Sequence, residues 1–241
     1  MAGHSKWKNI QNRKGAQDAK RGKIFQKMSR EIYVAAKSGG DDPDTNPALR
    51  LAIDKSKSEN VPNDVIQRAI DKATGAGADE NYEEVIYEGY GPGGTAVLVY
   101  CLTENRNRTG PNIRVAFNKN GGSLGETGSV NYLFERKGRI FIERTEGIDE
   151  DSLMLEALEA GAEDIISTEE GFEILTEPAE FLSVKEVLET EEITFISAEV
   201  DMVPSVYAEL SVEQEEQFEK MLDALEDDDD VQNVYHNAAG E

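Results

Sequence analysis

The chain is poor in the residues that build disulfide frameworks and zinc sites. Its 241 residues include one cysteine, Cys101, and two histidines, His4 and His236, which lie near opposite ends. A single cysteine forms no disulfide within the chain, and so few sulfur and imidazole ligands exclude an ordinary structural zinc centre. We therefore expect a cytoplasmic protein in a reducing compartment, with no cofactor and no bound metal.

Long apolar runs and catalytic signatures are also missing. No segment approaches the roughly 18 apolar residues of a membrane-spanning helix, and no apolar core of a secretory signal follows the first basic residues. The chain has no nucleophile elbow, no phosphate-binding P-loop and no paired-histidine metalloprotease motif. These absences predict a non-enzymatic protein without a membrane partner. The alternative is a nuclease built from scattered carboxylates, which would leave no such motif.

One glycine pattern imitates a cofactor site. Gly89, Gly91 and Gly94 satisfy the G-x-G-x-x-G spacing of dinucleotide-binding proteins. That motif must open a helix, whereas here the glycines lead into the strand-like run that starts at Thr95. The pattern therefore predicts a glycine hairpin.

Charge is divided sharply along the chain, whose net charge is −24. The first 37 residues carry ten Lys or Arg and two acids, whereas the last 100 residues carry three bases and thirty-two acids. Cations concentrated at one end indicate contact with a polyanion, because each Lys or Arg placed on a phosphate releases counterions. We therefore predict that the N-terminal end contacts nucleic acid and that the acidic remainder faces solvent or protein partners. The alternative is a basic face that is merely solvated.

The predicted contacts fall in two adjoining segments. Trp7 lies between Lys6 and Lys8, a pairing of a stacking ring with cations that suits unpaired bases. Residues 15–37 then predict an amphipathic helix with a basic stripe, Lys20, Lys23, Lys27 and Arg30, opposite its apolar face. The candidate nucleic-acid-binding residues are His4, Lys6, Trp7, Lys8, Arg13, Lys14, Lys20, Arg21, Lys23, Lys27 and Arg30. Trp7 could instead anchor the packing of the helices.

A second cationic group predicts an anion site further along the chain. Arg106 and Arg108 come just before a helix that is expected to begin near Pro111, and Arg114 lies in its first turns. The alternative is that these arginines pair with the abundant carboxylates of the same domain. The acidic run Asp227–Asp230 is interpreted as a solvated loop or a repulsive surface, and no role is assigned to it.

Periodicity predicts an α+β multidomain fold. Helices near residues 15–37, Pro47 and Pro62 form a three-helix domain that ends at a glycine-rich linker, 74–78. Residues 137–202 have the strand and helix order βαββαβ of the ferredoxin-like fold. The flanking segments, with strands at 97–102, 130–134, near 206 and 231–235 and an extra strand at 85–88, complete a second such unit. The expected domains are residues 1–75, residues 79–135 plus 204–238, and residues 136–203 inserted in the second.

Specific motifs resemble the YebC family. They include Met1-Ala-Gly-His-Ser-Lys-Trp, Tyr87-Glu-Gly-Tyr-Gly-Pro-Gly-Gly, Asn105-Arg-Asn-Arg-Thr and Val231-Gln-Asn-Val-Tyr-His-Asn. The resemblance spans the whole chain. Where the family pattern has Thr-Arg-His-Arg-Lys, this chain has Ile10-Gln-Asn-Arg-Lys, so one histidine and one arginine are missing from the basic segment.

The resemblance implies a bacterial cytoplasmic protein with a helical N-terminal domain, two α/β domains and no established catalytic residues. Many family members are described as probable transcriptional regulators that bind DNA. Others, including a mitochondrial activator of cytochrome oxidase subunit synthesis, act in translation. The sequence thus predicts a transcriptional regulator that binds DNA through its N-terminal domain. The alternatives are a translation factor that contacts ribosomal RNA and a pure protein-interaction scaffold.

Overall fold

The structure is a computed structural model that describes residues 21–75, 79–189 and 193–239. The described residues divide into two compact units. One contains residues 21–131 and Leu210–His236, and the other contains Tyr132–Glu209 with residues 237–239. The N-terminal helices therefore share a unit with the first sheet. The domain boundaries expected after residues 75, 135 and 203 remain predictions.

Three helices open the described chain: α1 (Arg21–Gly39), α2 (Pro47–Ser58) and α3 (Asn63–Thr74). Their facing apolar residues form one core, in which Ile32 and Leu49 are fully buried. Asn46 fixes the connection between α1 and α2. Its side-chain oxygen accepts the N–H of Leu49 at 3.1 Å, and its amide donates to the carbonyls of Ala35 and Gly40 at 2.9 and 2.8 Å. The predicted helix starts near Pro47 and Pro62 are confirmed.

The first sheet belongs to the same unit and has the strand order β3-β1-β2-β8, with every pair antiparallel. Its strands are β1 (Glu83–Tyr90), β2 (Ala96–Thr103), β3 (Ser123–Leu124) and β8 (Val231–His236). Helix α4 (Arg106–Lys119) follows β2, and helix α7 (Val212–Glu226) precedes β8. The predicted glycine hairpin is confirmed, because Pro92–Gly94 forms a short 3₁₀ turn between β1 and β2.

Two predicted strands of this sheet are wrong. Residues Asn131–Leu133 form a 3₁₀ turn, because the buried carboxylate of Glu88 accepts the N–H groups of Gly128, Val130 and Asn131 at 2.7 to 2.9 Å. Backbone donors used in this way are not available to a sheet. Near residue 206 only a single bridge forms, between Ala208 and Ala238. The edge position is taken instead by the two-residue strand β3.

The second unit is built on four antiparallel strands in the order β5-β6-β4-β7. Its elements are β4 (Phe134–Glu143), α5 (Glu150–Ala160), β5 (Ala162–Ser167), β6 (Gly171–Thr176), α6 (Phe181–Leu188) and β7 (Phe195–Pro204). Both the element order and the strand order are those of the ferredoxin-like fold, which confirms the prediction for this segment. The α+β class, with a helical region followed by sheet domains, is confirmed as well.

Close packing at Gly138 in β4 gives a test of this unit. A methyl group at position 138 would collide with the side chain of Thr176 and lie 2.8 Å from Cβ of Phe181. We expect Gly138→Ala to lower the free energy of unfolding by about 1–3 kcal/mol, as overpacked cores do. Gly147→Ala is the matched control, because no heavy atom lies within 4 Å of its added methyl group. Urea unfolding measures both, and equal stability of the two variants would contradict the packing.

Candidate nucleic-acid interface

The predicted nucleic-acid contacts divide between described and undescribed residues. His4, Lys6, Trp7, Lys8, Arg13, Lys14 and Lys20 lie outside the described residues. The remaining four, Arg21, Lys23, Lys27 and Arg30, lie on α1. The structure brings three of these four to one place, an acidic loop formed by Asp227–Asp230 between α7 and β8.

Lys23 and Lys27 contact the C-terminal end of α7 and the start of the acidic loop. The ammonium of Lys23 lies 2.9 Å from the carbonyl oxygen of Asp227 and 3.4 Å from its carboxylate. Lys27 donates to the carbonyl of Glu226 at 2.6 Å. Carbonyls at a helix C-terminus carry partial negative charge, so both lysines also interact favourably with the dipole of α7. Burial lowers the pKa of Lys27, although Glu226 acts in the opposite direction.

Arg30 enters the protein more deeply than the two lysines. Its side chain is only 10% exposed. One guanidinium nitrogen donates to the carbonyls of Leu102 and Asp229 at 2.8 and 2.7 Å, and to the carboxylate of Asp230 at 3.2 Å. The guanidinium also lies over the ring of Tyr82, 4.8 Å from its centroid. Arg30 thus fixes α1 to the end of β2 and to the acidic loop.

Asp230 is the centre of this network. Its side chain is 5% exposed and also accepts Arg108 at 2.7 and 3.0 Å, the hydroxyl of Thr109 at 2.8 Å and that of Thr103 at 3.2 Å. Burial opposes its ionisation, but the hydrogen bonds from Arg108 and Thr109 and the charges of Arg108 and Arg30 together lower the pKa of Asp230 below its ordinary value of 3.8. A buried carboxylate is stable when its oxygens are satisfied in this way.

The described cations of the stripe are therefore engaged within the protein. Lys23, Lys27 and Arg30 face backbone and carboxylate oxygens of the acidic loop or of the helix end before it. Sequence analysis missed this role for Asp227–Asp230 because partners about 200 positions apart leave no local pattern. The available signal was charge complementarity between a basic helix face and an acidic run held between the apolar residues Leu225 and Val231. Contact between the stripe and nucleic acid remains a prediction.

The three arginines of the predicted anion site do not share one ligand position. Helix α4 begins at Arg106, and its N-cap residue Asn105 already accepts the N–H groups of Asn107 and Arg108. Arg108 binds Asp230, and Arg106 lies 3.6 Å from the carboxylate of Glu83. Arg114 lies on the exposed side of α4. Two of the three arginines thus pair with the domain's own carboxylates.

Comparison with known proteins decides the family. Residues 82–238 match the family model described as the second and third domain of TACO1/YebC, and residues 5–76 match the model of the TACO1/YebC N-terminal domain. The chain belongs to the TACO1/YebC family. The resemblance read from the sequence motifs is thereby confirmed.

Relatives of this YebC-family chain are similar over their full length. A probable transcriptional regulatory protein of Geobacillus sp. (strain WCH70) is 62% identical over 239 residues, which are 98% of this chain and 97% of the relative. Another, from Listeria monocytogenes serovar 1/2a, is 62% identical over 240 residues and 99% of both chains. The crystal structure of a conserved hypothetical protein, Aq1575 of Aquifex aeolicus, has a TM-score of 0.78 and 45% identity, covering 92% of this chain and 91% of that chain.

Two features are absent from the described part of the YebC-family chain. Within residues 21–75, 79–189 and 193–239, no group of three or more His, Cys, Asp or Glu side chains is arranged to hold a metal ion. Across the same ranges, no helix combines the length and the apolar character needed to cross a membrane.

The Asp230 network predicts a large loss of stability on neutralisation. Asp230→Asn leaves the buried guanidinium of Arg30 without a counter-charge, and removing one partner of a buried pair costs about 3–5 kcal/mol. Asp227→Asn is the matched control. Its carboxylate is 56% exposed, so we expect a loss of at most about 1 kcal/mol. Urea unfolding of both variants checks this, and comparable small losses would show that the network contributes little.

The same network predicts a direction for the pH dependence. Because the folded-state pKa of Asp230 is lowered, its stabilisation is present above the ordinary value of 3.8 and is lost as the pH falls through the folded value. The free energy of unfolding should therefore decrease as the pH falls below about 4, and Asp230→Asn should show a shallower decrease. Urea titrations between pH 7 and pH 2 measure the slope. Identical slopes for both proteins would contradict the assignment.

Proposed function

We propose that this protein is a non-enzymatic regulator that acts on transcription in the cytoplasm by binding DNA through its basic N-terminal segment. The names of its relatives support a regulatory role. The uneven charge supports a polyanionic partner, because ten of the 25 Lys and Arg residues lie in the first 37 positions. The acidic α/β units are then available to protein partners, and their charge limits non-specific adhesion to DNA.

Because the cations of α1 are paired within the protein, we place the nucleic-acid contact on the residues before α1. All five cations on α1 interact within the protein. Lys23, Lys27, Arg30 and Lys37 bind its oxygen atoms, and Arg21 has a partner as well. The other five, Lys6, Lys8, Arg13, Lys14 and Lys20, precede α1. We assign phosphate contact chiefly to these five, with Arg21 at the junction and His4 and Trp7 beside them. Lys23, Lys27 and Arg30 would contribute only if the acidic loop moved away.

A translation factor that contacts ribosomal RNA is the second candidate. The position of Trp7 between two lysines favours it, because an indole ring stacks on unpaired bases and has no such partner in an intact duplex. Both candidates use the same cations, so they differ in the form of nucleic acid that is bound.

Removal of N-terminal cations tests the shared part of the proposal. We expect Lys6→Ala, Lys8→Ala, Arg13→Ala and Lys14→Ala, combined in one full-length variant, to weaken binding to every duplex sequence. The slope of log affinity against log salt should fall by about 3.6, at 0.9 per lost phosphate contact. Fluorescence anisotropy with a labelled DNA duplex measures both quantities.

The control for this variant removes four exposed cations elsewhere, Lys57, Arg68, Arg136 and Lys220, and so changes the net charge equally. If the N-terminal variant kept the parental salt slope, this segment would not be the contact surface. Equal losses in both variants would mean that net charge alone governs binding.

Replacement of Trp7 separates the two candidates. We expect Trp7→Ala to lower affinity for single-stranded RNA roughly ten-fold or more and to leave duplex DNA binding unchanged if stacking on unpaired bases is its role. Ultraviolet crosslinking in cells, with sequencing of the attached DNA and RNA, then identifies the natural target. Discrete promoter DNA supports the transcriptional regulator, whereas ribosomal or transfer RNA supports the translation factor.

A further inference from the structure

Helix α4 has an outward face without any acidic residue. The face consists of Asn107, Pro111, Arg114, Val115, Asn118 and Lys119, all exposed, on the side opposite the buried residues Thr109, Ile113, Ala116 and Phe117. We propose that this α4 face is a binding surface for single-stranded RNA. The proposal concerns residues outside the N-terminal segment and does not depend on which nucleic acid that segment binds.

The composition of α4 is exceptional within this chain. Its 14 residues contain three arginines and one lysine and no acid, in a protein whose net charge is −24. The other described α-helices each carry at least one acid, although α1, α2 and α6 carry only one. An acid-free face of this size creates a local positive potential that attracts phosphate groups.

Contacts with other parts of the protein account for only some of the polar residues of the helix. Arg106 pairs with Glu83, Arg108 with Asp230, and Asn112 donates to Asp228 at 3.1 Å. By contrast, Arg114 and Lys119 make no hydrogen bond or ion pair with any described residue. Lys119 lies in the last turn of α4, where a cation interacts favourably with the helix dipole. Arg114 lies in the middle of α4 and has no such interaction.

The exposed residues also carry a cost in helix stability. Asn107, Pro111 and Asn118 are poor helix formers, and an exposed face selected for stability alone would favour Ala, Glu, Lys or Gln. The side-chain amide of asparagine both donates and accepts hydrogen bonds, as the edges of unpaired bases and the ribose 2′-hydroxyl do. Cations that can bind phosphates thus lie beside amides that can bind base edges and sugars.

A single strand fits this surface better than a duplex does. The α4 face is convex, and on one flank Asp228 and Asp230 are bonded to Asn112 and Arg108. A duplex that received α4 in its major groove would place a phosphate backbone on each flank of the helix, one of them near these two acids. A single strand presents one backbone, which can follow Arg114 and Lys119, the two cations of α4 that have no acidic partner among the described residues. We therefore commit to RNA in single-stranded form.

Site-specific photocrosslinking tests the surface directly. A benzophenone amino acid replaces Val115, which is 49% exposed at the middle of the α4 face, in the full-length protein. The control places it at Leu155 on α5, which is 58% exposed. We expect a labelled 20-nucleotide RNA of mixed sequence to crosslink at position 115 and not at position 155. Unlabelled RNA should compete, whereas single-stranded DNA of the same sequence and duplex DNA should compete at least ten-fold less well.

A charge variant supplies an independent measurement. Arg114→Glu with Lys119→Glu should lower RNA affinity ten-fold or more and reduce the salt slope by about 1.4, at 0.7 per contact for single strands. The matched control, Arg68→Glu with Lys220→Glu, has the same net charge and should keep the parental slope. Arg114→Gln with Lys119→Gln, which adds no repulsion and preserves the helix, should show the same reduction in slope.

Three results would overturn the proposal. They are equal crosslinking at positions 115 and 155, no crosslinking at position 115, and competition by duplex or single-stranded DNA that equals or exceeds competition by RNA. The variant without Lys6, Lys8, Arg13 and Lys14 distinguishes the two interfaces. Crosslinking at position 115 that persists in it supports the α4 surface even if the N-terminal proposal fails. Crosslinking that disappears with those cations would show that position 115 records only RNA held by the N-terminal segment.

Discussion

One buried carboxylate holds together the N-terminal helices and the first sheet. Asp230 accepts hydrogen bonds or ion pairs from α1 through Arg30, from α4 through Arg108 and Thr109, and from the end of β2 through Thr103. A carboxylate that is almost fully buried is tolerated only when its oxygens are satisfied, so these elements constrain one another's positions. The orientation of α1 depends on this arrangement.

The network shows that part of the uneven charge of the chain is paired inside the protein. A basic N-terminus and an acidic C-terminal half suggest two ends that face different partners, yet Lys23, Lys27 and Arg30 contact the acidic loop or the helix end before it. Part of the complementarity is therefore used for folding. The two nucleic-acid contacts proposed above use other cations, those before α1 and, on a separate surface, those on the outer side of α4.

Local patterns predicted much of the fold, and their limits have physical causes. Proline at the first helical position and the apolar period located α2, and alternating helices and strands located the ferredoxin-like unit. The strand predicted around Val130 does not form, because Glu88, about 40 positions earlier, binds the backbone N–H groups of this segment. Propensity scales do not include such a long-range contact. The sequence pattern predicted the basic stripe on α1. It did not predict the partner of the stripe, because Asp227–Asp230 lie about 200 positions away. Helix α4 was placed too late because Pro111 lies inside it rather than at its start.

The long separation between α1 and its acidic partner sets an order of events during synthesis. Lys23 and Asp227 are 204 positions apart, and the ferredoxin-like unit, Tyr132–Glu209, is made between them. On a growing polypeptide, the three N-terminal helices and that unit emerge before α7 and the acidic loop exist. The basic face of α1 consequently remains uncovered for most of translation, and the buried position of Arg30 is completed only when the last residues have left the ribosome.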